Sequence, residues 1–258
     1  SPAVRAGEAV ARWCERVVEL AGPACVAVKP QLACFERLGA PGWSALERAV
    51  AAAKETGLLV LADGKRGDVP VSAAAYAQAL MGETETPWGA VPGLGADAAT
   101  VNGLLGRDAL EPLIAQAEAA AAGLFVLVRT SNPGAADLLD LEAEGAPLHE
   151  RIAALVAELA PRLRGAAGPS GMGAVVGATE PRHIARLRAL MPEAIFLLPG
   201  VGAQGGAVAE LGPAFGAGPA SALVTASRSI AGADDPALAA ERLRGEVWDV
   251  ACRAGAAS

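Results

Sequence analysis

Apolar residues occur along the chain in short uninterrupted runs, separated by stretches in which they recur every three or four positions. Seven runs lie near residues 25, 58, 98, 124, 173, 195 and 222, and each predicts a strand buried on both faces. The stretches between them, such as residues 44–57, have the spacing of helices with one buried face. Alternating strands and helices predict an α/β fold with a parallel sheet.

The predicted strand count bears on whether this sheet closes. A TIM (β/α)8 barrel has eight strands in about 250 residues and begins with a strand. This chain has 258 residues, and its first predicted element is a helix over residues 4–21. We therefore predict a single barrel domain over residues 1–258 from which the first strand is missing. An open, doubly wound sheet is the alternative.

Composition and charge narrow the range of partners. The net charge of −7 opposes non-specific binding of nucleic acid, which needs a basic surface. A small anion remains possible as a ligand, because a few cations and backbone amides can bind it on an acidic protein. No apolar run reaches 18 residues, so we expect no membrane span, and we predict a soluble, cytoplasmic protein.

A cluster of charges follows the apolar run at residues 58–62. Four charged residues fall within six positions, 63–68. Asp63 and Lys65 are two residues apart, so both side chains share one face if the strand stays extended. In a barrel, charges at the carboxyl end of a strand lie where catalysis takes place. A catalytic pair and a solvated surface turn fit this spacing about equally well.

A second candidate site follows the strand near residue 195. Gly200, Gly202 and Gly205 form a Gly-x-Gly-x-x-Gly pattern, whose backbone amides suit an anion. A dinucleotide site would place this pattern early in the chain. Its late position favours the phosphate site between the last two strands of a barrel, with Arg228 as a second ligand. The alternative is a structural glycine turn beside a surface arginine.

Three other polar residues are assigned structural positions. Thr179 is predicted to cap a helix that has Pro181 in its first turn. His149 and His183 are predicted to lie on helix surfaces, and neither has a partner at metal-ligand spacing. We therefore expect no metal site at either histidine.

Together these motifs resemble those of the orotidine 5′-phosphate decarboxylases, most closely the longer bacterial (type 2) subgroup, over nearly the whole chain. The resemblance is carried by residues 28–31, 35–36, 63–68, 130–134, 176–179, 199–205 and 227–228. The Asp-x-Lys-x-x-Asp pattern within residues 63–68 is shared with sugar-phosphate decarboxylases and synthases. The Lys-Pro-Gln and Thr-Ser-Asn-Pro segments, residues 29–31 and 130–133, make the resemblance specific.

The resemblance implies a reaction and catalytic roles. The reaction is decarboxylation of orotidine 5′-monophosphate (OMP) to UMP, without metal or cofactor, by a homodimer with shared active sites. Lys29, Asp63, Lys65 and Asp68 match the family's network of alternating lysines and aspartates. Lys65 would donate the proton to C6 of the pyrimidine, and Asp63 would lie against the departing carboxylate. Lys29 would hold the network and the ribose hydroxyls, and Asp68 would serve the partner subunit's active site.

The resemblance also implies substrate contacts. Ser131 would contact the pyrimidine, and Gln204, Arg228 and the backbone at Gly202 would hold the phosphate. Ser72 keeps the hydroxyl that the family usually has at its position as threonine. The family's first strand carries a ribose-binding aspartate that has no counterpart within residues 1–258.

Two other functions are compatible with parts of these motifs. A sugar-phosphate decarboxylase or aldolase-like relative would use the core of residues 63–68 with Mg²⁺. A non-catalytic nucleotide-binding protein would have lost catalysis together with the first strand. Under the decarboxylase hypothesis, Glu36 and Gln31, beside Lys29, are interpreted as supporting hydrogen-bonding residues.

Overall fold

The computed structural model describes residues 1–166, 168–202 and 204–255. The strands are β1 (Ala27–Val28), β2 (Leu59–Arg66), β3 (Glu83–Thr84), β4 (Val91–Pro92), β5 (Ala98–Val101), β6 (Gly123–Arg129), β7 (Glu142–Ala143), β8 (Ala146–Pro147), β9 (Ser170–Val176), β10 (Ala194–Leu198) and β11 (Ala222–Val224). The helices are α1 (Pro2–Ala21), α2 (Leu32–Glu36), α3 (Ala40–Glu55), α4 (Pro70–Met81), α5 (Arg107–Ala120), α6 (Leu148–Leu159), α7 (Arg182–Leu190), α8 (Arg228–Ala231) and α9 (Pro236–Gly255).

Seven strands form one parallel sheet, and they coincide with the seven apolar runs of the sequence. Their order is β1-β2-β5-β6-β9-β10-β11, so each strand pairs with the next sheet strand along the chain. Successive crossovers of one hand curl such a sheet in one direction. The result is a curled half-barrel, with β1 and β11 at its edges in the part of the chain that the structure describes. The four remaining strands form two short antiparallel ribbons, β3–β4 and β7–β8.

Both faces of the sheet are apolar, which explains why the strands are uninterrupted apolar runs. On the concave face, one residue from each of four strands forms an inner layer: Leu61, Phe125, Val175 and Leu197. The intervening residues, such as Val60 and Val126, pack in the larger core on the other face. Asp63 lies two residues after Leu61 on β2, and Thr100 lies two residues after Ala98 on β5, so both side chains are on the concave face. The interior therefore changes from apolar to polar toward the carboxyl ends of β2 and β5.

Two predicted helix starts differ from the structure. The helix expected from residue 44 begins at Ala40, because Gly39 takes a φ of +67° and turns the chain into the helix earlier. Thr179 does not cap α7, which begins at Arg182. Its hydroxyl donates instead to the carbonyl oxygen of Ser131 at 2.9 Å.

The surface position predicted for His149 is wrong. His149 is 2% exposed, with Nδ1 2.7 Å from the carbonyl oxygen of Leu139 and 3.3 Å from Asp140 Oδ1. Its ring also packs edge-on against that of His183, with centroids 4.8 Å apart. The loop before α6 covers this part of the helix, which helical periodicity alone does not reveal. None of the described helices combines the length and the apolar character needed to cross a membrane.

Arg188 is a buried arginine that connects α7 to the end of the sheet. Its guanidinium donates to main-chain carbonyl oxygens that include those of Met191, Ala194, Ala214 and Ser221. It also lies 3.8 Å from the ring centroid of Phe196. Burial lowers the pKa of Arg188 to about 10, so the group stays protonated at neutral pH.

We predict that Arg188→Met lowers the free energy of unfolding by about 3 kcal/mol, because it leaves buried carbonyl oxygens without donors. Urea denaturation followed by circular dichroism measures the change. Arg186→Met is the matched control on the same helix, since the Arg186 side chain is 59% exposed and pairs with Glu150 at the surface. Equal losses in the two variants would contradict the role assigned to Arg188.

Candidate active site

The carboxylate of Asp63 is the centre of a polar cluster on the concave face of the sheet. Asp63 is 6% exposed. Its Oδ1 accepts hydrogen bonds from Lys65 Nζ at 2.6 Å and from Thr100 Oγ1 at 2.8 Å. Its Oδ2 forms a short ion pair with Lys29 Nζ. Lys29 directly follows β1, so the cluster joins the carboxyl ends of three adjacent strands.

Gln31 is the fifth member of this cluster. With its amide oriented to satisfy both hydrogen-bonding partners, its nitrogen donates to Asp63 Oδ2 at 2.7 Å and to the carbonyl oxygen of Asp63 at 2.8 Å. This geometry agrees with the supporting role interpreted from the sequence. Both carboxylate oxygens of Asp63 are therefore hydrogen-bonded twice.

The electrostatics of the cluster keep Asp63 ionised. Burial by itself raises the pKa of Asp63, but the charges and hydrogen bonds of Lys29 and Lys65 outweigh burial, and the net pKa lies below its ordinary value. Two ammonium groups and one carboxylate give the trio a net charge of +1. The cluster thus presents positive charge to the space enclosed by the sheet.

The backbone is not extended at Lys65, contrary to the geometry considered from the sequence. Lys65 has a φ of +49°, in the left-handed region. The pairing of β2 with β5 passes from Ala62–Ala99 to Arg66–Val101, so three residues of β2 lie opposite one residue of β5. This bulge brings the Lys65 ammonium back onto Asp63. The Lys65 side chain remains 42% exposed.

Asp68 and Ser72 lie apart from the cluster within one chain. The Asp68 carboxylate accepts a hydrogen bond from the amide of Val69 at 2.7 Å. Among the described residues, the hydrogen bonds of Lys65 and Lys29 do not include Asp68. Ser72 is partly buried in the first turn of α4. One chain therefore brings together three of the four predicted network residues.

Ser131 and Gln204, the residues predicted to contact the pyrimidine and the phosphate, lie next to each other in the cleft that the Asp63 cluster lines. Ser131 Oγ donates to Gln204 Oε1 at 2.9 Å, although the two residues are 73 positions apart. Thr179 holds the same loop through the carbonyl oxygen of Ser131. Gly200 has a φ of +106°, and a Cβ there would lie 3.2 Å from Ser131 Cβ. Glycine at this position thus permits the close approach of the two loops.

The glycine pattern is a tight turn in the structure. Gly202 and Gly205 have φ values of +71° and +94°, which explains the requirement for glycine. The Gly202 amide donates within the turn to the carbonyl oxygen of Gly206 at 3.0 Å. The amide predicted to bind phosphate is therefore occupied in this conformation. Ala203, inside the pattern, lies outside the described residues.

A single cleft of about 1530 Å³ connects these groups. Its polar part is lined by Lys29, Asp63, Lys65, Ser131, Gln204 and Arg228. Arg228 is exposed at the start of α8, directly after the loop that follows β11. The cleft continues between the two edge strands to the apolar faces of α1 and α9. Its size is sufficient for a nucleotide. Over the residues described, no group of three or more His, Cys, Asp or Glu side chains is placed to hold a metal ion.

The curled parallel sheet, with a polar cleft at the carboxyl ends of its strands, defines a β/α-barrel type of enzyme. Residues 10–243 match the family model described as orotidine 5′-phosphate decarboxylase / HUMPS family, and the chain belongs to this family. It is 42% identical over 225 residues to an orotidine 5′-phosphate decarboxylase of Rhodopirellula baltica, covering 86% of this chain and 72% of the relative. Against the Deinococcus radiodurans enzyme of the same name, identity is 46% over 215 residues, covering 83% and 74%.

Solved structures agree with this assignment. The chain superimposes on the Leishmania donovani OMP decarboxylase with a TM-score of 0.76 and 32% identity, covering 95% of this chain and 89% of the other. Orotidine 5′-phosphate decarboxylase from Pyrococcus horikoshii gives a TM-score of 0.67 at 22% identity, covering 92% and 94%, which supports the fold. The family resemblance recognised from the motifs is confirmed, whereas the individual residue roles stay predictions.

Sequence reasoning missed one residue that organises the site, Thr100, and left a second, Arg129, undecided between an ion pair and a substrate contact. Thr100, at 1% exposure, contacts Asp63 directly. The available signal was its spacing, since a polar residue at the inward-facing position of an apolar strand points toward a polar site. Arg129 forms a bidentate pair with Asp140 at 2.8 and 3.0 Å and donates to the carbonyl oxygen of Thr130. It thereby anchors the loop that carries Ser131.

The depressed pKa of Asp63 predicts an acid-dependent loss of stability. Ionised Asp63 contributes stability that is fully present above its ordinary pKa of about 3.9 and is lost as the pH falls through the lower folded value. We expect wild type and Asp63→Asn to differ most in free energy of unfolding near about pH 6, and progressively less below about pH 4. Urea denaturation across this range measures the difference. A difference that stays constant with pH would contradict the prediction.

Proposed function

We propose that this chain decarboxylates OMP to UMP, with Lys65 as the proton donor to C6 of the pyrimidine. The observation that carries the proposal is the cluster of Lys29, Asp63 and Lys65 at the carboxyl ends of β1 and β2. Membership of the decarboxylase family and the shared cleft support it.

The reaction places a specific electrostatic demand on the site. Loss of CO₂ leaves an electron pair on C6, and the pyrimidine offers no adjacent group to delocalise it. Positive charge held in place before the reaction is the direct way to stabilise this carbanion. Lys65 supplies that charge, and as a general acid it transfers a proton to C6. The net charge of +1 on the cluster suits both tasks.

Asp63 and Lys29 complete the chemistry at this end of the cleft. Asp63 stays ionised, so it opposes a substrate carboxylate placed beside it, and the repulsion disappears as neutral CO₂ departs. It also keeps the Lys65 ammonium aimed at the reacting carbon. Lys29 neutralises the other oxygen of Asp63 and takes the ribose hydroxyls as hydrogen-bond partners.

The far end of the cleft binds the rest of the nucleotide. The Ser131 hydroxyl donates a hydrogen bond to the amide oxygen of Gln204. The two N–H donors of the Gln204 amide are therefore available for phosphate. Arg228 provides a bidentate partner for the same phosphate. Ser131 contacts the pyrimidine between the two ends. Binding energy from the phosphate then contributes to catalysis at C6. The Gly202 amide is hydrogen-bonded within its own turn. In this conformation the side chains of Gln204 and Arg228, rather than the Gly202 amide, bind the phosphate.

A second copy of the chain completes the site through Asp68. Apolar residues surround Asp68 at the surface: Val69, Val71, Leu104 and Leu105 are about half exposed or more. The two loops that carry them are adjacent, since a Cβ on Gly67 would lie 2.7 Å from the carbonyl oxygen of Asn102. An exposed apolar patch of this kind favours association with another protein surface. A twofold homodimer covering the patch would bring the partner's Asp68 toward Lys65. Within one chain, as far as the structure describes it, Asp68 and Lys65 share no hydrogen bond or ion pair.

We also propose that residues 1–258 belong to a single domain, and that one more strand, between β1 and β11, closes its sheet into a TIM barrel. Support comes from the two sheet edges that border the cleft and from exposed apolar side chains beside it, including Val26, Trp13 and Trp248. A strand in this gap would cover the apolar part of the cleft and leave the polar part open to substrate.

Formation of UMP from OMP by the purified chain tests the proposed function. We expect turnover that is unchanged by EDTA. Dependence on a divalent metal would favour the sugar-phosphate relative instead. Tight binding of UMP by a folded dimer without turnover would favour the non-catalytic nucleotide-binding protein.

Two variants test the roles proposed for Lys65 and Arg228 in this reaction. Lys65→Ala is expected to abolish turnover while UMP affinity stays within about tenfold, because the interaction lost is mainly that with the transition state. Arg228→Ala is expected to weaken UMP binding and lower kcat/KM, since it removes a phosphate ligand. Retained turnover in Lys65→Ala would rule out Lys65 as the proton donor.

Subunit complementation tests the shared site. Lys65→Ala and Asp68→Asn are each expected to be inactive, but a re-associated equal mixture should regain about a quarter of wild-type activity, since half the dimers are mixed and each has one intact site. Lys65→Ala mixed with the double variant Lys65→Ala/Asp68→Asn is the control and should stay inactive. Absence of recovery in proven mixed dimers would show that Asp68 does not act across the interface.

A further inference from the structure

Thr100 occupies a specific place opposite the catalytic bulge. It lies on the concave face of β5, and at 1% exposure it is buried beside the polar part of the cleft. Directly across from it, the pairing of β2 and β5 is interrupted between Ala62 and Arg66. The Thr100 side chain therefore faces the segment of β2 that has left the regular ladder.

The hydroxyl of Thr100 connects both parts of the catalytic pair. It donates to Asp63 Oδ1 at 2.8 Å and accepts from the backbone amide of Lys65 at 2.9 Å. The direction of these bonds follows from chemistry, because an amide only donates and an ionised carboxylate only accepts. The hydroxyl proton is thus committed to Asp63.

These two bonds compensate for an unfavourable backbone conformation. The left-handed conformation of Lys65, with a φ of +49°, is unfavourable for a residue that carries a side chain. Within the bulge, the Lys65 amide points to a side chain rather than to a carbonyl oxygen of β5. Thr100 supplies the acceptor that the ladder would otherwise provide. The hydrogen bond therefore stabilises the turn that directs Lys65 toward the cleft.

The same Asp63 oxygen also accepts from the Lys65 ammonium at 2.6 Å. Thr100 consequently restrains Lys65 twice, at its backbone directly and at its ammonium through Asp63. Its one hydroxyl proton is donated to Asp63, so it has no remaining proton to offer a substrate. This separates its role from that of the lysines.

We propose that Thr100 is a positioning residue for the decarboxylation: its hydroxyl holds the Lys65 backbone and Asp63 in the arrangement that aims the Lys65 ammonium at the reacting carbon. The inference rests on the proposed function, because the reacting carbon is C6 of OMP. It adds a residue of β5 to the lysine–aspartate cluster, whose other members come from the segment after β1 and from β2.

Three substitutions at this position separate the hydroxyl from the volume of the side chain. Thr100→Val replaces the hydroxyl by a methyl group, and we expect kcat to fall by about thirtyfold while the dissociation constant for UMP changes by less than about threefold. Thr100→Ser keeps the hydroxyl and should retain kcat within about threefold of wild type. Thr100→Ala, which creates no steric conflict, should behave like Thr100→Val if the latter fails to fold.

The control is Thr56→Val, at the end of α3. Thr56 donates to the carbonyl oxygen of Ala53 and is not among the residues that line the cleft, so this variant should keep wild-type kcat. The proposal is overturned if both Thr100→Val and Thr100→Ala keep kcat within about threefold of wild type, or if Thr100→Ser is impaired as strongly as Thr100→Ala.

Hydrogen exchange of the Lys65 amide gives a readout that needs no activity. We expect this amide to exchange at least about tenfold faster in Thr100→Val or Thr100→Ala than in wild type, and at an unchanged rate in Thr100→Ser. Unchanged exchange in the first two variants would refute the link between Thr100 and Lys65. If wild type does not convert OMP at all, the proposed function fails on that observation, while the exchange rates still decide whether Thr100 holds Lys65.

Discussion

The buried carboxylate of Asp63 is the constraint on which the rest of the site depends. An ionised group at 6% exposure costs several kcal/mol unless charges and hydrogen bonds compensate it. Four donors do so, and they come from three adjacent strand ends: Lys29 and Gln31 after β1, Lys65 on β2 and Thr100 on β5. The parallel order of these strands is what brings the donors together, so the fold and the charge arrangement are stabilised by the same contacts.

The sheet was predictable because its signal is local. Strands buried on both faces are continuous apolar runs, and all seven runs correspond to strands of the sheet. The pairing of Lys65 with Asp63 was also accessible, since the two residues are only two positions apart in sequence. Lys29 is 34 positions from Asp63, and only the family motifs associated the two. Thr100 belongs to no motif, and its contact with Asp63 spans 37 positions, so local spacing could not reveal its partner.

The predictions for His149 and Thr179 were wrong because a neighbouring loop determines the environment of each side chain. His149 lies near the start of α6, where helical periodicity gives no information about the preceding loop. That loop folds back because Arg129 at the end of β6 binds Asp140, and the hydrogen bond from Arg129 holds the pKa of Asp140 below its usual value. Thr179 has the residue type of a helix cap, but the close approach of the Ser131 loop offers its hydroxyl a carbonyl oxygen instead. Tertiary contacts overrode a correct local preference in both cases.

The exposure of Lys65 connects the electrostatics of the site with its assembly. An ammonium that is 42% exposed interacts with a developing charge through water, which weakens the attraction severalfold relative to a covered site. Asp63 is already shielded by its four donors, so the group that gains most from further covering is Lys65. The apolar surface around Asp68 lies beside the same turn of β2, and covering it with a second subunit would lower the local dielectric constant where the carbanion forms. In the proposed dimer, association and catalysis would therefore be coupled through one turn, because the exposed apolar surface lies beside the turn that leaves Lys65 in water.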